Sequence, residues 1–562
     1  MKHFALLTAL GCWSATSLAQ DLNRIQPAPV PAVEPPATAT ADNGSGSTAT
    51  SAVLLPELNG LIFITRPEQL SEASAHDQAL DTSRVPLLDN ETFRSRIEPY
   101  LGEPLRQSGL KRLLTTVNLY YAAHDKPFVN VSAPGQDVTD GVLRILVVEG
   151  RVERVKVEGN RYFSDDQYLA ALGLNPGDPL QKSHLDANIA WINRNPFRAA
   201  AVVAAPGESF GGTNLIVRAN ERYPLRVYAN ADNTGSPNTG EERLGVGVNW
   251  GNAFGLGHQL NYQLTTSTDF DRSIGHSASY VVPLPWHHLL TFSGAWSRIN
   301  ADMPVDFDSQ GTSWQTAFRY EVPLPALSWE HSIQAGADFK RSDNNLEFGG
   351  IPVTDNTTDI VQAVLAYRLS TDDNYGRTGL ATTVVYSPGS LGNRNETRYF
   401  DVSRWGAESD YSYARLDLDR LTRLPANFAW HLTASLQVAS GNLLGSEQLA
   451  LTGTYGARGY GENDSFSDRG YLIRNELLLP VVNASSPSVR LQPLVFHDYA
   501  QGSNKRLLPG ERDRTTLSSA GLGGRMSLGQ SCELRFAYGW QLHALPGENK
   551  DDQAHAGITF SY

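Results

Sequence analysis

Residues 428–438 read FAWHLTASLQV, and residues 533–542 read ELRFAYGWQL. In the first stretch Phe428, Trp430, Leu432, Ala434, Leu436 and Val438 share one parity, while Ala429, His431, Thr433, Ser435 and Gln437 share the other. In the second, Leu534, Phe536, Tyr538, Trp540 and Leu542 alternate with Glu533, Arg535, Ala537, Gly539 and Gln541. Successive side chains of a strand point to opposite faces, so each stretch has one apolar face and one polar face. Leu225, Val227, Ala229 and Ala231 alternate in the same way with Arg226, Tyr228, Asn230 and Asp232. Ala414, Leu416 and Leu418 do so with Arg415, Asp417 and Asp419. Segments of about ten residues with this pattern have the length of a tilted strand crossing a bilayer. A soluble β-sandwich alternates too, but its strands average about 5–6 residues. The chain also ends on alternating Ile558, Phe560 and Tyr562. Lipid cannot satisfy a free strand edge, so such a sheet must close on itself. At roughly 20 residues per strand and connection, residues 222–562 correspond to about 16 strands.

Composition narrows the function. Of 562 residues, 46 are Lys or Arg and 59 are Asp or Glu, giving a net charge of −13, which argues against a nucleic-acid binder. Two cysteines exclude a disulfide scaffold and a cysteine-ligated metal cluster. Beyond the N-terminus no run of about 18 apolar residues occurs, which argues against membrane helices and leaves a barrel open.

The N-terminus reads as an address. Lys2 and His3 precede an apolar stretch from Phe4 to Trp13, and Ser17-Leu18-Ala19 fits a cleavage site, so residues 1–19 are expected to be a secretory signal. A lipidated Cys12 is the alternative; cleavage after Ala19 would leave Cys532 alone, as a packed or lipid-facing strand residue. Residues 20–56 read as a linker in which no core forms. Pro27, Pro29, Pro31, Pro35 and Pro36 favour extended chain, and Ala, Thr, Ser and Gly follow.

Residues 57–150 and 151–221 carry one pattern twice: strand, helix, helix, strand, strand. In the first unit Leu61–Ile64 is a strand. Asp89-Asn90 caps a helix with Phe93 and Ile97, and Ser108 caps a second with Leu113, Val117 and Tyr121. Two strands close it at Phe128–Val131 and Val142–Glu149. In the second unit the order is Val155–Val157, helices at Asp165–Leu172 and His184–Asn193, then Ala200–Ala204 and Leu215–Val217. Tandem units of this kind are a repeat.

Short motifs then give a family resemblance. Pro134-Gly135-Gln136-Asp137, Asp140-Gly141-Val142-Leu143 and Val147-Val148-Glu149-Gly150 resemble the end of the first POTRA domain of TpsB proteins, the outer-membrane transporters of two-partner secretion. Trp191–Arg198 resembles a helix end of their second POTRA domain, and Asp232–Gly235 through Gly240 resembles their barrel entry. Ser387-Pro388-Gly389 fits a barrel segment of the same family. Ala457-Arg458-Gly459-Tyr460 is similar to the family's V-R-G-Y loop motif, and Phe496-His497-Asp498 to its F-x-D barrel-wall motif. These matches keep the family order over nearly all of the chain after residue 57.

The resemblance implies a predominantly β fold: a 16-stranded transmembrane β-barrel over 222–562, preceded by two α/β POTRA domains over 57–150 and 151–221. It implies a long loop folded back into the pore, with Arg458 at its tip facing Asp498 on the inner wall. An arginine fork fixes a carboxylate through two parallel charge-assisted hydrogen bonds. Gly459 allows close approach of the loop backbone, Tyr460 adds a packing surface with a polar tip, and Phe496 shares the lumenal parity of Asp498. Many relatives begin with a plug helix; the proline-rich start here predicts none, which would leave the loop alone to occlude the pore.

No catalytic motif accompanies these features. Gly245, Gly247, Gly251, Gly255 and Gly257 do not form G-x-G-x-x-G, GARGYGEN lacks the Lys-Ser/Thr of a P-loop, and His287-His288 beside Trp286 reads as an interface-belt pair. The expected function is a non-enzymatic outer-membrane pore, without cofactor, that exports one large secreted exoprotein in unfolded form. That partner's N-terminal secretion domain would be captured by POTRA domains in the periplasm. Further expected contacts are outer-membrane lipid and the barrel assembly machinery, with no nucleic acid, and the protein is expected to be monomeric. An assembly factor inserting other barrels is the main alternative, ahead of a diffusion porin and a secreted adhesin.

Overall fold

The computed structural model describes residues 25–36, 53–71, 79–237, 239–302, 307–325, 329–348, 351–483, 488–507, 513–545 and 548–562. Among these residues two compact units emerge: one within residues 33–222, and one formed by residues 25–32 together with residues 223–562.

In the first unit, β1 (Val53–Leu55), β2 (Gly60–Ile64), β3 (Leu80–Asp81), α1 (Glu91–Ile97), β4 (Leu105–Arg106), α2 (Gln107–Ala123), β5 (Val129–Ser132) and β6 (Val142–Glu149) form one POTRA domain. Its sheet has the order β3-β2-β6-β5, and β1 and β4 make a separate ribbon. Asn90 caps α1 by accepting from the Phe93 amide at 2.9 Å. Helix α2 begins at Gln107, one residue before the expected Ser108 cap, and its first turn has no side-chain cap. Phe63, Phe93, Leu113, Val117, Tyr121 and Ile145 fill the core between sheet and helices.

The second POTRA domain follows as β7 (Arg151–Glu158), α3 (Asp165–Leu172), α4 (Lys182–Asn193), β8 (Arg198–Pro206) and β9 (Gly212–Glu221), with sheet order β7-β9-β8. Ser164 and Gln167 close α3 with a capping box. The Arg198 guanidinium lies over the Phe163 and Tyr168 rings, and the Tyr168 hydroxyl donates to Glu221 at 2.7 Å. Burial and the Glu221 carboxylate push the Tyr168 phenol far above its ordinary value. The two domains share one cap: Asp125, just after α2, accepts from the Ser183 amide at 2.8 Å in the first turn of α4.

The barrel starts with β10 (Leu225–Asp232), β11 (Arg243–Ala253), β12 (His258–Ser267), β13 (Ser273–Pro283), β14 (Leu289–Asp302), β15 (Phe307–Pro323), β16 (Glu330–Phe348) and β17 (Ile351–Asp373). It continues with β18 (Gly376–Pro388), β19 (Asp410–Arg423) and β20 (Ala429–Ala439). A two-strand stem, β21 (Leu449–Ala450) with β22 (Phe466–Ser467), lies within the next connection. Then come β23 (Arg469–Leu478), the two-residue β24 (Val482–Asn483), β25 (Val489–Ser503), β26 (Thr515–Leu528), β27 (Cys532–Gln541) and β28 (Asp552–Ser561). All neighbours are antiparallel, β23 pairs directly with β25, and β10 pairs with β28 to close the ring. Setting the short β24 aside, sixteen strands span the wall.

Alternation sorts the faces. Trp430, Leu436 and Val438 are exposed on the outside, whereas Gln437 between them is fully buried inside. At one rim His258 meets the Tyr280 hydroxyl at 2.7 Å and His288 meets that of Tyr320 at 2.6 Å. Trp286 donates to the same Tyr320 hydroxyl at 3.1 Å, an arrangement suited to a membrane interface. Among the described residues no helix is long and apolar enough to cross a membrane.

The linker reading is corrected in two places. Val53–Leu55 is a strand with Leu55 buried in the first POTRA core. Ile25 and Val30 are buried in the barrel unit, where the Ala28 amide donates to the Tyr228 hydroxyl at 2.8 Å and Ser277 donates to the Ile25 carbonyl. Prolines cannot donate to a ladder, yet their carbonyls accept: Arg226 donates to that of Pro29 at 3.1 Å. Residues 25–36 contain no helix; residues 1–24, where the sequence also predicts no plug helix, lie outside the described residues.

Candidate functional site: the lumenal loop and its wall

Residues 440–468 leave β20, form the β21–β22 stem and return to β23. The inward-facing Gln437 holds both legs of the stem, its amide donating to the carbonyls of Glu447 and Asp468 at 3.1 Å each. Between the legs the chain turns through Ala457-Arg458-Gly459-Tyr460, and all four residues are buried.

Arg458 is 4 % exposed and Asp498, on the inner face of β25, is fully buried. The arginine donates through Nε at 2.7 Å and Nη2 at 2.8 Å to the two carboxylate oxygens, a bidentate fork. Its backbone amide adds a third bond to Asp498 at 3.1 Å. Nη1 reaches Glu476 on β23 at 2.6 Å. The guanidinium carbon stands 3.7 Å from the centre of the Phe496 ring, stacking on its face. Strand register builds this seat: Glu476 pairs across from Phe496, and Arg474 from Asp498.

Glu476 binds more than the loop. It accepts from Arg525 at 3.0 Å and from His431 at 3.2 Å, and His431 also meets Asp419 at 2.9 Å. Burying an ion costs several kcal/mol unless charge and hydrogen bonds compensate it. Here alternating guanidiniums and carboxylates on facing strands supply that compensation.

Gly459 has φ +91°, and its amide donates to His555 on β28 at 3.3 Å. Gln541 on β27 donates to its carbonyl at 2.9 Å. The Tyr460 hydroxyl donates to the carbonyls of Ser518 and His543 at 2.9 and 2.6 Å and accepts from the Ser518 amide at 3.0 Å. The structure therefore brings Arg458, Gly459, Tyr460, Phe496 and Asp498 into one cluster. Glu476, Arg525 and His555 do not figure in the sequence reading, and His431 and Gln541 enter it only as polar-face strand residues. Each has the polar parity of its strand, but only the register shows that they converge.

The loop does not fill the lumen alone, which corrects the expectation of a single occluding element. The β18–β19 connection carries α5 (Thr397–Ser403), whose Phe400 packs on the inward side chains Ile360, Val364, Tyr411 and Tyr413. Arg404, after α5, forms an ion pair with the fully buried Asp468 at the root of the 440–468 loop. Together with the Ile25–Val30 segment, three chain segments lie against the inner wall. Among the described residues no cluster of His, Cys, Asp or Glu has metal-binding geometry.

Comparison with known proteins agrees with this architecture. The profile of the haemolysin secretion/activation protein ShlB/FhaC/HecB matches residues 211–526, and that of the ShlB-type POTRA domain matches residues 78–150. The heme/hemopexin transporter protein HuxB of Haemophilus influenzae (strain 86-028NP) is 23% identical over 470 residues, covering 79% of each chain. The outer membrane transporter CdiB of Escherichia coli O6:K15:H31 (strain 536 / UPEC) is 26% identical over 399 residues, 68% of this chain and 65% of the relative. The solved structure of CdiB from Escherichia coli superposes with a TM-score of 0.72 at 16% identity, covering 93% of both chains. CdiB from Acinetobacter baumannii gives 0.63 at 18% identity, covering 97% and 96%. A POTRA pair, a closed sixteen-stranded barrel and an arginine loop seated on its inner wall are thus joined to a profile spanning more than half of the sequence, and the chain belongs to the ShlB/FhaC/HecB family of haemolysin secretion/activation proteins.

Proposed function

We propose that the seated loop is the resting lock of this secretion pore, and that export of a partner exoprotein requires Arg458 both to leave Asp498 and Glu476 and to reseat on them, so that a loop unable to seat leaves a leaky pore that exports poorly. The family makes the protein an outer-membrane transporter of two-partner secretion, with its POTRA domains in the periplasm. One observation carries the lock reading: a fully charged arginine, almost completely buried, is held by five hydrogen bonds or ring contacts to two wall strands. A loop in a water-filled lumen loses conformational entropy when held still, and this set of contacts offsets that loss.

The cargo in this reading is a large exoprotein with an N-terminal secretion domain, moved in unfolded form. POTRA sheet edges provide a capture surface: β5 pairs only with β6, and β8 only with β9, among the described residues. An extended segment adds to such an edge through main-chain hydrogen bonds. The barrel assembly machinery inserts the protein, which works as a monomer and binds no nucleic acid or cofactor.

The test pairs Arg458→Ala and Asp498→Ala with quantification of secreted proteins in the culture supernatant. Both variants assemble as heat-modifiable barrels but release much less of one large protein. Normal export by both would sink the lock reading. Deleting the gene separates the rival role: loss of one supernatant protein marks an exporter, whereas broad depletion of unrelated barrels marks an assembly factor.

A further inference from the structure

A second buried ion pair holds the same loop at its other end. Glu447 lies at the root, two residues before β21, and is 1 % exposed. It accepts from the Lys340 ammonium on β16 at 2.6 Å, from the Gln362 amide on β17 at 3.2 Å and from the Tyr413 hydroxyl on β19 at 3.0 Å. Lys340 is itself only 4 % exposed. The wall supporting it is also bonded: Gln362 donates to Asp338 at 3.0 Å, Tyr411 donates to Gln362 at 2.7 Å, and Arg319 pairs with Asp338 at 2.5 Å. One loop carboxylate thus enters a socket of a cation, an amide and a hydroxyl supplied by three different strands. None of these residues contacts Arg458, whose partners sit on β23 and β25.

We propose that the Lys340–Gln362–Tyr413 socket is a second, independent latch for the pore loop, with Glu447 as its bolt. In this arrangement opening requires both releases: the tip leaves the β23–β25 wall, and the root leaves its socket on β16, β17 and β19. A contact made in the closed state and lost in the open one holds the pore shut by its own free energy. Lys340 and Glu447 are positioning residues: they set where the loop is held and touch no cargo at rest. The consequence for export rests on the reading of the loop as a lock, but the latch itself does not.

Single-channel conductance of the purified full-length protein in planar bilayers tests this without any cargo. Glu447→Gln and Lys340→Met each raise the fraction of time spent open on the order of tenfold, the size of a coupling between contacting residues. The Lys340→Met/Glu447→Gln double variant opens no more than either single one, because both remove the same contact. Lys340→Arg, which keeps the cation, stays near wild type. Glu447→Gln combined with Arg458→Ala multiplies the two separate effects, as independent sites do. The double variant removes both buried charges and serves as the readout if a single one fails to assemble. Unchanged opening in Glu447→Gln and Lys340→Met, multiplication of their effects with each other, or no gain over Arg458→Ala alone would overturn the proposal. A silent Arg458→Ala beside responsive Glu447 and Lys340 variants would instead defeat the tip lock and leave the root latch standing.

Discussion

Gly459 of the lumenal loop and Gly539 of β27 meet backbone to backbone. A Cβ on Gly539 would stand 2.7 Å from the Gly459 nitrogen, and a Cβ on Gly459 would stand 3.0 Å from the Gly539 carbonyl carbon and oxygen. Neither neighbour is a flexible side chain, so any larger residue separates loop from wall. The Gly459 φ of +91° adds a conformational reason on the loop side alone.

Gly539→Ala therefore tests seating through the loop backbone alone, since the new Cβ meets the Gly459 nitrogen and Cα and the Arg458 carbonyl carbon but neither the guanidinium nor its acceptors. The strand accommodates alanine, since Ala537 already occupies the same face two residues earlier. The expected result is an assembled barrel with raised conductance, reduced export and weakened Gln541–Gly459 bonding. Gly459→Ala gives a larger effect, because strain at φ +91° of about 1–3 kcal/mol adds to the contact. Equal wild-type conductance in both would show that the close approach is not needed.

Arg458→Lys separates charge from geometry. Lysine keeps the cation but cannot form the fork to Asp498 while also reaching Glu476 and covering the Phe496 ring. Arg458→Ala strips the buried Asp498 of its bidentate partner and leaves Glu476 only Arg525 and His431, a loss of about 3–5 kcal/mol to the seated state. Export by the lysine variant is expected between wild type and alanine. Full activity of the lysine variant would reduce the site to a point charge.

Glu476→Gln probes an acceptor that binds Arg458, Arg525 and His431 together. Glutamine is nearly isosteric but offers one acceptor oxygen and no charge. Conductance is expected to rise, by less than in Asp498→Ala, because the bidentate fork persists. A response equal to that of Asp498→Ala would place the two carboxylates on an equal footing.

Asp125→Asn examines the cap shared by the POTRA domains. The Ser183 hydroxyl and amide hold the Asp125 carboxyl below its ordinary value. A carboxyl lowered on folding stabilises the fold above its unfolded value, and that contribution is lost as pH falls through the folded value. Asparagine keeps an acceptor and tolerates the positive φ of 65° at this position. Amides 183–186 are expected to exchange hydrogen faster in the variant at neutral pH. The difference from wild type closes below the ordinary carboxylate range. A difference constant with pH would assign the cap's strength to geometry rather than charge.

Much of the fold is legible from residue order because its physics is local. Period-two alternation in 428–438 and 533–542 specifies strands with one face for lipid, and lipid then forces closure. Helical spacing around Phe93, Leu113 and Leu185 specifies the POTRA helices. Arg458 and Asp498 are readable as candidates through their motifs. Ile25 and Val30 are different: nothing in a proline-rich stretch indicates that its carbonyls find donors on a distant wall.

The sequence by itself determined which residues face lipid and which face the lumen, since parity along a strand is a property of the chain alone. Tertiary structure decided which lumenal residues meet. Glu476 comes beside Phe496, Arg525 and His431, and Lys340 comes to Glu447 across 107 positions, only after strand register and ring closure are set. Those quantities depend on pairing between distant segments, and no local pattern of residues encodes the pairing.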